Sequence, residues 1–192
     1  GHALVAELLP NADKAYKVTI VARGQTGGHT RYIPQEERHL WTKRQFEDMM
    51  AAALGGRVAE ELVFDEMTTG ASSDMQQATN IARAMVTQYG MSQKLGPRTF
   101  GKREELVFLG REISEQRDYG DKIAEEIDME VRALLDTAYN SAKTTLQLHK
   151  KTLDQVAEYL MKHESVEGIE LAKLFNASFK KSKSQETPNP AT

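Results

Sequence analysis

The strongest helical pattern of the chain covers residues 121–149, DKIAEEIDMEVRALLDTAYNSAKTTLQLH. Apolar side chains recur through it every three or four positions, at Ile123, Ile127, Val131, Leu134, Leu135, Ala138, Ala142 and Leu146. Apolar residues at this spacing line one face of an α-helix, so the pattern predicts about eight helical turns packed against a core. The sequence therefore indicates a mainly α protein.

Shorter helical patterns lie on both sides of this stretch. They predict helices over 1–9, from an N-cap at Thr42 to about Val63, from about Ser72 to Gly90, over 151–163 and over 169–175. The predicted long helix of residues 121–149 and the helix over 151–163 that follows it form a long C-terminal helix pair.

Residues 17–33 show a pattern typical of β-strands and not of helices. Lys17–Val21 and Thr30–Ile33 are rich in β-branched residues, and the glycines at 24, 27 and 28 lie between them. This pattern predicts two strands joined by a glycine-rich turn. The expected fold is mainly α, with a small β-hairpin or sheet near the N-terminus. We expect one domain over residues 1–178 and a disordered polar tail over 179–192, where no apolar period remains.

Composition excludes several classes of function. The chain has 192 residues, no cysteine, and 25 basic against 28 acidic side chains, for a net charge of -3. The lack of cysteine excludes disulfide scaffolds, thiol nucleophiles and Cys-ligated metals. The charge balance gives no indication of nucleic-acid binding. No apolar run approaches the ~20 residues of a transmembrane helix, so we expect these residues to be soluble.

Two catalytic motifs are absent from the sequence. A serine hydrolase elbow, G-x-S-x-G, does not occur. A P-loop needs a glycine five places after its first glycine and then a lysine, but five places after Gly24 comes His29 and no lysine follows. The glycine-rich segment is therefore interpreted as a turn, and we expect no ATP site in it.

The chain has five histidines, His2, His29, His39, His149 and His163. A helix that begins Gly-His-Ala-Leu-Val matches a zinc helix of pattern H-E-x-x-H without its first three residues. Histidines at i and i+4 of such a helix hold one Zn²⁺, and the glutamate polarises water. Taken alone, His2 is better interpreted as an ordinary terminal residue than as a metal ligand.

Carboxylates that could complete such a site occur on two later helices. Gly55-Gly56 costs a helix about 1 kcal/mol per glycine, which suggests that another element approaches closely there. Glu60 falls on the inward phase of this helix and would need a partner, whereas Glu61 is interpreted as a solvated neighbour. Asp74 has two interpretations, a metal ligand or an acid that complements a helix N-terminus.

Five segments together resemble one known family, FtsH, the membrane-anchored ATP-dependent zinc metalloproteases. They are GHALVAELLP (1–10), KVTIVARGQTGGHTRYIP (17–34), LGGRVAEELVF (54–64), TTGASSDMQQATNIARAMVTQYGMSQKLGP (68–97) and VFLGR (107–111). The resemblance to the FtsH peptidase domain extends from residue 1 to about Phe175.

The resemblance implies a site. His2 aligns with the second histidine of the family's H-E-A-G-H helix, and Asp74 aligns with its third zinc ligand. Glu60 aligns with a glutamate that hydrogen-bonds a zinc-bound histidine and fixes the ring's tautomer and basicity. The family's first histidine and catalytic glutamate would precede Gly1. We therefore expect no catalytic residue within these 192 residues, weak or absent zinc binding, and no proteolysis by this chain alone.

The resemblance also implies the activity, the assembly and the location of the full-length protein. The full-length protein would be an ATP-dependent endopeptidase that degrades unfolded or misassembled membrane and soluble proteins, with substrate added to a sheet edge of the Lys17–Ile33 hairpin. ATP would bind an AAA+ domain outside these residues, and the protein would form a homo-hexamer. Membrane attachment would come only through N-terminal helices outside this chain, at the cytoplasmic face of the bacterial inner membrane or an equivalent organelle membrane.

Composition and periodicity alone fit a second function equally well. A non-enzymatic helical module could bind partner proteins through its long helix and hold no metal. The linked motifs favour the peptidase, and zinc retention after loss of His2 and Asp74 would favour the module.

Overall fold

The computed structural model describes residues 1–21, 28–33, 40–101 and 118–183, with side chains as far as Phe175. The elements in these ranges are helix α1 (His2–Leu8), strands β1 (Lys14–Thr19) and β2 (His29–Ile33), helix α2 (Lys43–Phe64), a 3-10 turn (Thr69–Ala71), helices α3 (Ser72–Thr87), α4 (Asp121–Leu148) and α5 (Lys150–His163), strand β3 (Ser165–Glu167) and helix α6 (Gly168–Lys183). The predicted mainly α class, with a small sheet near the N-terminus, is confirmed.

Helix α2 lies at the centre of the core and packs against α1, α3 and α4. Its Met50, Leu54 and Val58 are almost completely buried. Helix α4 buries five of the apolar residues that predicted it, namely Ile127, Val131, Ala138, Ala142 and Leu146. Because each large apolar side chain gains roughly 1.5–3 kcal/mol on burial, this stripe holds α4 on α2.

The start of α2 agrees with its predicted N-cap. The backbone N–H of Gln45 donates to the Thr42 hydroxyl at 3.3 Å, and the backbone N–H of Thr42 donates to Oε1 of Gln45 at 2.8 Å. This reciprocal capping box satisfies two backbone donors that the helix itself leaves without partners.

A second contact joins α2 to α4 near the end of α2. Glu61 accepts hydrogen bonds from the Tyr139 hydroxyl and from Nζ of Lys143, the latter at 2.9 Å. The bond from Tyr139, followed by that from Lys143, holds the pKa of Glu61 below its usual value. Glu61 is partly exposed, in line with the expected solvated neighbour, but it also has two partners on α4 that the phase of α2 does not reveal.

The sheet has three antiparallel strands in the order β2-β1-β3. Strand β1 begins at Lys14, earlier than the predicted Lys17, and a bulge falls between Ala15 and Lys17. Strand β3 pairs Val166 with Val18 and was not predicted from the sequence. Three residues are too few to display an alternating pattern, and this pairing is long-range.

Helix α6 is longer than the predicted segment 169–175, and it continues to Lys183. Residues 184–192 of the predicted tail lie outside the described residues, as do Gly24, Gly27, His39 and the VFLGR segment. Within the described ranges, none of the helices combines the length and the apolar character needed to cross a membrane.

Candidate metal centre

Two side chains from distant parts of the chain meet beside the core. Nε2 of His2, on α1, lies 3.3 Å from Oδ2 of Asp74, in the first turn of α3. Each side chain is a little under one-third exposed. The two residues that the sequence singled out as metal ligands therefore face one another at a site that water can reach.

A contact with the backbone of α2 sets the orientation of the His2 ring. Its Nδ1 lies 2.9 Å from the backbone carbonyl oxygen of Ala52 on α2. A carbonyl oxygen can only accept, so Nδ1 carries a proton, and Nε2 of a neutral ring presents a lone pair toward Asp74. A proton on Nε2 would join the two side chains as an ion pair, and a metal ion bound to Nε2 and to the carboxylate would take the place of that proton. A metal-binding histidine is held by the same arrangement, so this donor set fits a zinc ion.

The two glycines of α2 allow α1 to lie this close. A Cβ atom at Gly56 would overlap the His2 ring, and one at Gly55 would lie 3.1 Å from the backbone of Gly1 and from the Val5 side chain. The close approach that the Gly-Gly pair suggested is therefore found. Glycine lowers the helix propensity at these two positions, but any larger residue at Gly56 would displace the His2 ring.

Glu60 is half-buried, one helical turn beyond Gly56. Its carboxylate accepts hydrogen bonds from Thr68, at 2.7 Å from the hydroxyl to Oε1 and 3.3 Å from the backbone N–H to Oε2. The nitrogen of His2 that such a carboxylate could hold is bonded to Ala52 instead. Support of another zinc-bound histidine by Glu60 stays a prediction.

An open groove of about 1240 Å³ runs past His2 and Asp74. One wall is the face of the sheet that carries Val18, Ile20, Thr30 and Tyr32, and the other walls are mainly apolar. They include Leu4, Trp41, Met49, Ala52, Ala53, Val156 and Leu160. Desolvation, with a contribution from the charge of Asp74, raises the pKa of Tyr32 from 10 to about 12.

Strand β2 forms one edge of the sheet, and its register shows which backbone groups are directed outward. The backbone N–H of Ile20 donates to the carbonyl of Glu164, so the backbone groups of Ile20 and Val18 are directed toward β3. Successive residues of a strand direct their backbone groups to opposite sides, so those of Lys17 and Thr19 are directed toward β2. Their partners on β2 are Arg31 and His29. By alternation, the backbone N–H and C=O groups of residues 30 and 32 face away from β1, on the side of β2 where none of the described strands pairs, beside the groove.

Other candidates do not join this site. Among the described residues, no group of three His, Asp or Glu side chains is placed to hold a metal ion. His163 stacks on Tyr159, and His149 lies between α4 and α5. Sequence reasoning missed the carbonyl of Ala52, the Thr68 contact and the position of Tyr32. Of these, Thr68 alone carried a signal, because threonine before Thr-Gly-Ala is a typical start of a helical turn.

Comparisons with known proteins give a consistent result. Residues 1–174 match Peptidase family M41. The chain is 57% identical over 176 residues to ATP-dependent zinc metalloprotease FtsH 1 of Sphaerobacter thermophilus, an alignment that covers 92% of this chain and 27% of that protein. It is 55% identical over 176 residues to FtsH 1 of Thermomicrobium roseum, with the same coverage of 92% and 27%. It is 52% identical to FtsH of Chloroflexus aggregans, over 100% of this chain and 30% of that protein. The chain thus spans less than one-third of the length of these relatives.

Proposed function

This chain belongs to peptidase family M41, and we propose that its residues 1–178 are the proteolytic unit of an ATP-dependent zinc metalloendopeptidase. The observation that carries this function is the pair formed by Nε2 of His2 and the carboxylate of Asp74, 3.3 Å apart in the wall of an open groove. The proposal is supported by the Nδ1 contact with Ala52, which leaves Nε2 as the ring nitrogen that would bind zinc, and by the Asp74 carboxylate opposite it.

His2 and Asp74 would hold the zinc ion. When bound, zinc acts as a Lewis acid that polarises the scissile carbonyl and makes water a stronger acid. We propose that a histidine and a glutamate of the family's H-E-A-G-H helix, ahead of Gly1, supply the third protein ligand and the general base. Two protein ligands should hold zinc more weakly than three, so the three-residue extension His-Glu-Ala should increase affinity.

The groove and the edge of β2 would bind the substrate. An extended polypeptide could pair with the outward backbone groups of residues 30 and 32 and thereby add a strand to the sheet. Backbone pairing distinguishes side chains poorly, and the mainly apolar walls accommodate segments that folded proteins bury. These features suit a protease that degrades unfolded or misassembled membrane and soluble proteins.

The remaining proposals concern the longer protein. The similar proteins are named as ATP-dependent. We propose that ATP binds an AAA+ domain elsewhere in the full-length protein, that six copies assemble, and that N-terminal helices anchor the assembly. Its peptidase domains would then face the cytoplasm at the bacterial inner membrane, or the equivalent side of an organelle membrane.

The test uses the chain preceded by His-Glu-Ala. We expect about one zinc per chain and zinc-dependent hydrolysis of casein; in His2→Ala and Asp74→Ala we expect loss of hydrolysis and of stoichiometric zinc, with only the weaker binding by two protein ligands left. His163→Ala is the matched control, because this histidine stacks on Tyr159 of α5 instead. If the extended chain binds no zinc, or both substitutions leave zinc bound, a non-enzymatic interaction module is the better description.

A further inference from the structure

Three residues of α2 form a stripe beneath the candidate metal centre. Ala52, Gly56 and Glu60 are four residues apart, so they lie on the same face of the helix. Ala52 binds Nδ1 of His2, and Gly56 makes room for its ring. Glu60, the third member, binds no atom of the His2–Asp74 pair, and instead holds Thr68 by two hydrogen bonds.

Thr68 lies where the chain turns from α2 toward α3. Its hydroxyl donates to Glu60 at 2.7 Å and accepts the backbone N–H of Gly70 at 3.1 Å. It is thereby the N-cap of the 3-10 turn Thr69–Ala71, which leads directly into α3 at Ser72. One side chain therefore connects α2 to the segment immediately before Asp74.

Helix α3 has no side-chain N-cap of its own, because Ala71 occupies that position. Packing of Ala78, Ala82 and Met85 in the core holds the body of α3, whereas its first turn follows directly on the 3-10 turn that Glu60 and Thr68 hold in place. Asp74 belongs to the first turn of α3, so a rotation or shift of that turn would move its carboxylate relative to His2.

We propose that Thr68, held by Glu60, is a positioning residue that places the Asp74 carboxylate opposite Nε2 of His2. Helix α2 thus orients both ligands, His2 directly through Ala52 and Gly56, and Asp74 indirectly through Glu60 and Thr68. The role of Asp74 as a zinc ligand rests on the proposed function, whereas the Glu60–Thr68 contact does not.

The test is the zinc affinity of the chain extended by His-Glu-Ala, measured by competition with a coloured chelator. Thr68→Val removes the hydroxyl at nearly constant shape, and we expect it to weaken zinc binding about 10-fold, the lower range for residues behind metal ligands. Thr68→Ser keeps the hydroxyl and should bind zinc within about 2-fold of the unchanged chain. Thr79→Val is the matched control, because its hydroxyl bonds only within α3, to Met75.

The same substitution in a chain that already carries Asp74→Asn tests whether Glu60 and Thr68 affect zinc through Asp74 or through another ligand. If they act through Asp74, Thr68→Val should change zinc affinity by less than about 2-fold once Asp74→Asn is already present. A full 10-fold loss in that background would overturn the proposal, since the effect would then reach the metal through another ligand. Equal affinities of Thr68→Val and the unchanged chain would also overturn it.

Unfolding of the metal-free variants completes the experiment. A purely structural role for Thr68 would lower the midpoint of thermal unfolding without metal and leave zinc affinity unchanged, which contradicts the proposal. Failure of the unchanged extended chain to bind zinc would refute the proposed function instead. The two failures are therefore distinguishable.

Discussion

The imidazole ring of His2 lies directly against Gly56, and no side chain of any size fits between them. Gly56 is in the middle of α2, where glycine is less favourable than alanine by about 1 kcal/mol. The helix therefore retains a locally unfavourable residue at the position where the histidine ring crosses it.

Replacement of this glycine should separate stability from metal binding. We expect Gly56→Ala to weaken zinc binding of the extended chain at least 10-fold, because the new methyl group displaces the ring from its place beside Asp74. The measurement is zinc titration. Gly120→Ala is the control, since a Cβ atom at Gly120 would have no neighbour within 4 Å. Unchanged zinc affinity in Gly56→Ala would contradict the packing described here.

Removal of the Glu61 charge should destabilise the chain in a pH-dependent way. The pKa of Glu61 is held below its usual value of 4.5, so its stabilising contribution is present above that value. It is lost as the pH falls through the lower pKa of the folded state. We expect Glu61→Gln to lower the thermal midpoint by roughly 2–4 °C at pH 7.

The difference between Glu61→Gln and the unchanged chain should shrink as the pH falls below 4.5 and through the lower pKa of folded Glu61, because protonation leaves both with a neutral group at this position. Thermal unfolding followed by circular dichroism at several pH values measures it. The exposed Glu125 of α4 provides the control substitution, Glu125→Gln. A constant difference across the pH range would show that the ionised form of Glu61 is not what matters.

Strand β2, which has only β1 beside it among the described strands, should tolerate proline at position 30 and not at position 31. Thr30→Pro removes an N–H that faces away from β1, whereas Arg31→Pro removes one that bonds to it. One lost hydrogen bond of about 0.5–1.5 kcal/mol should raise KM for a peptide roughly 2–10-fold in Thr30→Pro. Peptide hydrolysis by the extended chain measures this effect.

Unfolding experiments on the same two variants supply the comparison. Arg31→Pro should lower the midpoint, and Thr30→Pro should leave it nearly unchanged. An unaltered KM in Thr30→Pro would mean that substrate does not pair with this edge.

Lys14 should stabilise the short helix that carries His2. Its ammonium group donates to the carbonyls of Glu7 at 2.7 Å, Leu9 at 3.1 Å and Ala6 at 3.4 Å, at the C-terminal end of α1. A cation there satisfies carbonyls that the helix leaves without partners and complements its dipole. We expect Lys14→Met to lower the free energy of unfolding by about 1–2 kcal/mol.

Denaturant unfolding tests this expectation, with Lys17→Met as the control. Lys17 forms a surface ion pair with Glu167 at 2.6 Å, and such pairs contribute less than about 1 kcal/mol. Equal losses in the two variants would show that the carbonyl contacts of Lys14 add nothing.

Helices with strong local signals could be predicted from the sequence. Thr42 and Gln45 are three residues apart and cap α2 as expected, and the apolar stripe of residues 121–149 gave α4 to within one residue. Strand β3 and the Glu61 contact could not be predicted, because both depend on partners far along the chain. The two candidate ligands were found through the resemblance, since neither has a ligand-spaced partner in the sequence.

The helices, the two strands near the N-terminus and the family could be inferred from the amino-acid sequence, because periodicity, caps and motifs are properties of neighbouring residues. The folded structure was needed to show that Nε2 of His2 faces Asp74, that Ala52 fixes the ring, and that Glu60 holds Thr68. These relationships arise where α1 and α3 pack on the same stripe of α2. Their distances depend on how helices separated in sequence pack together, which no local pattern encodes.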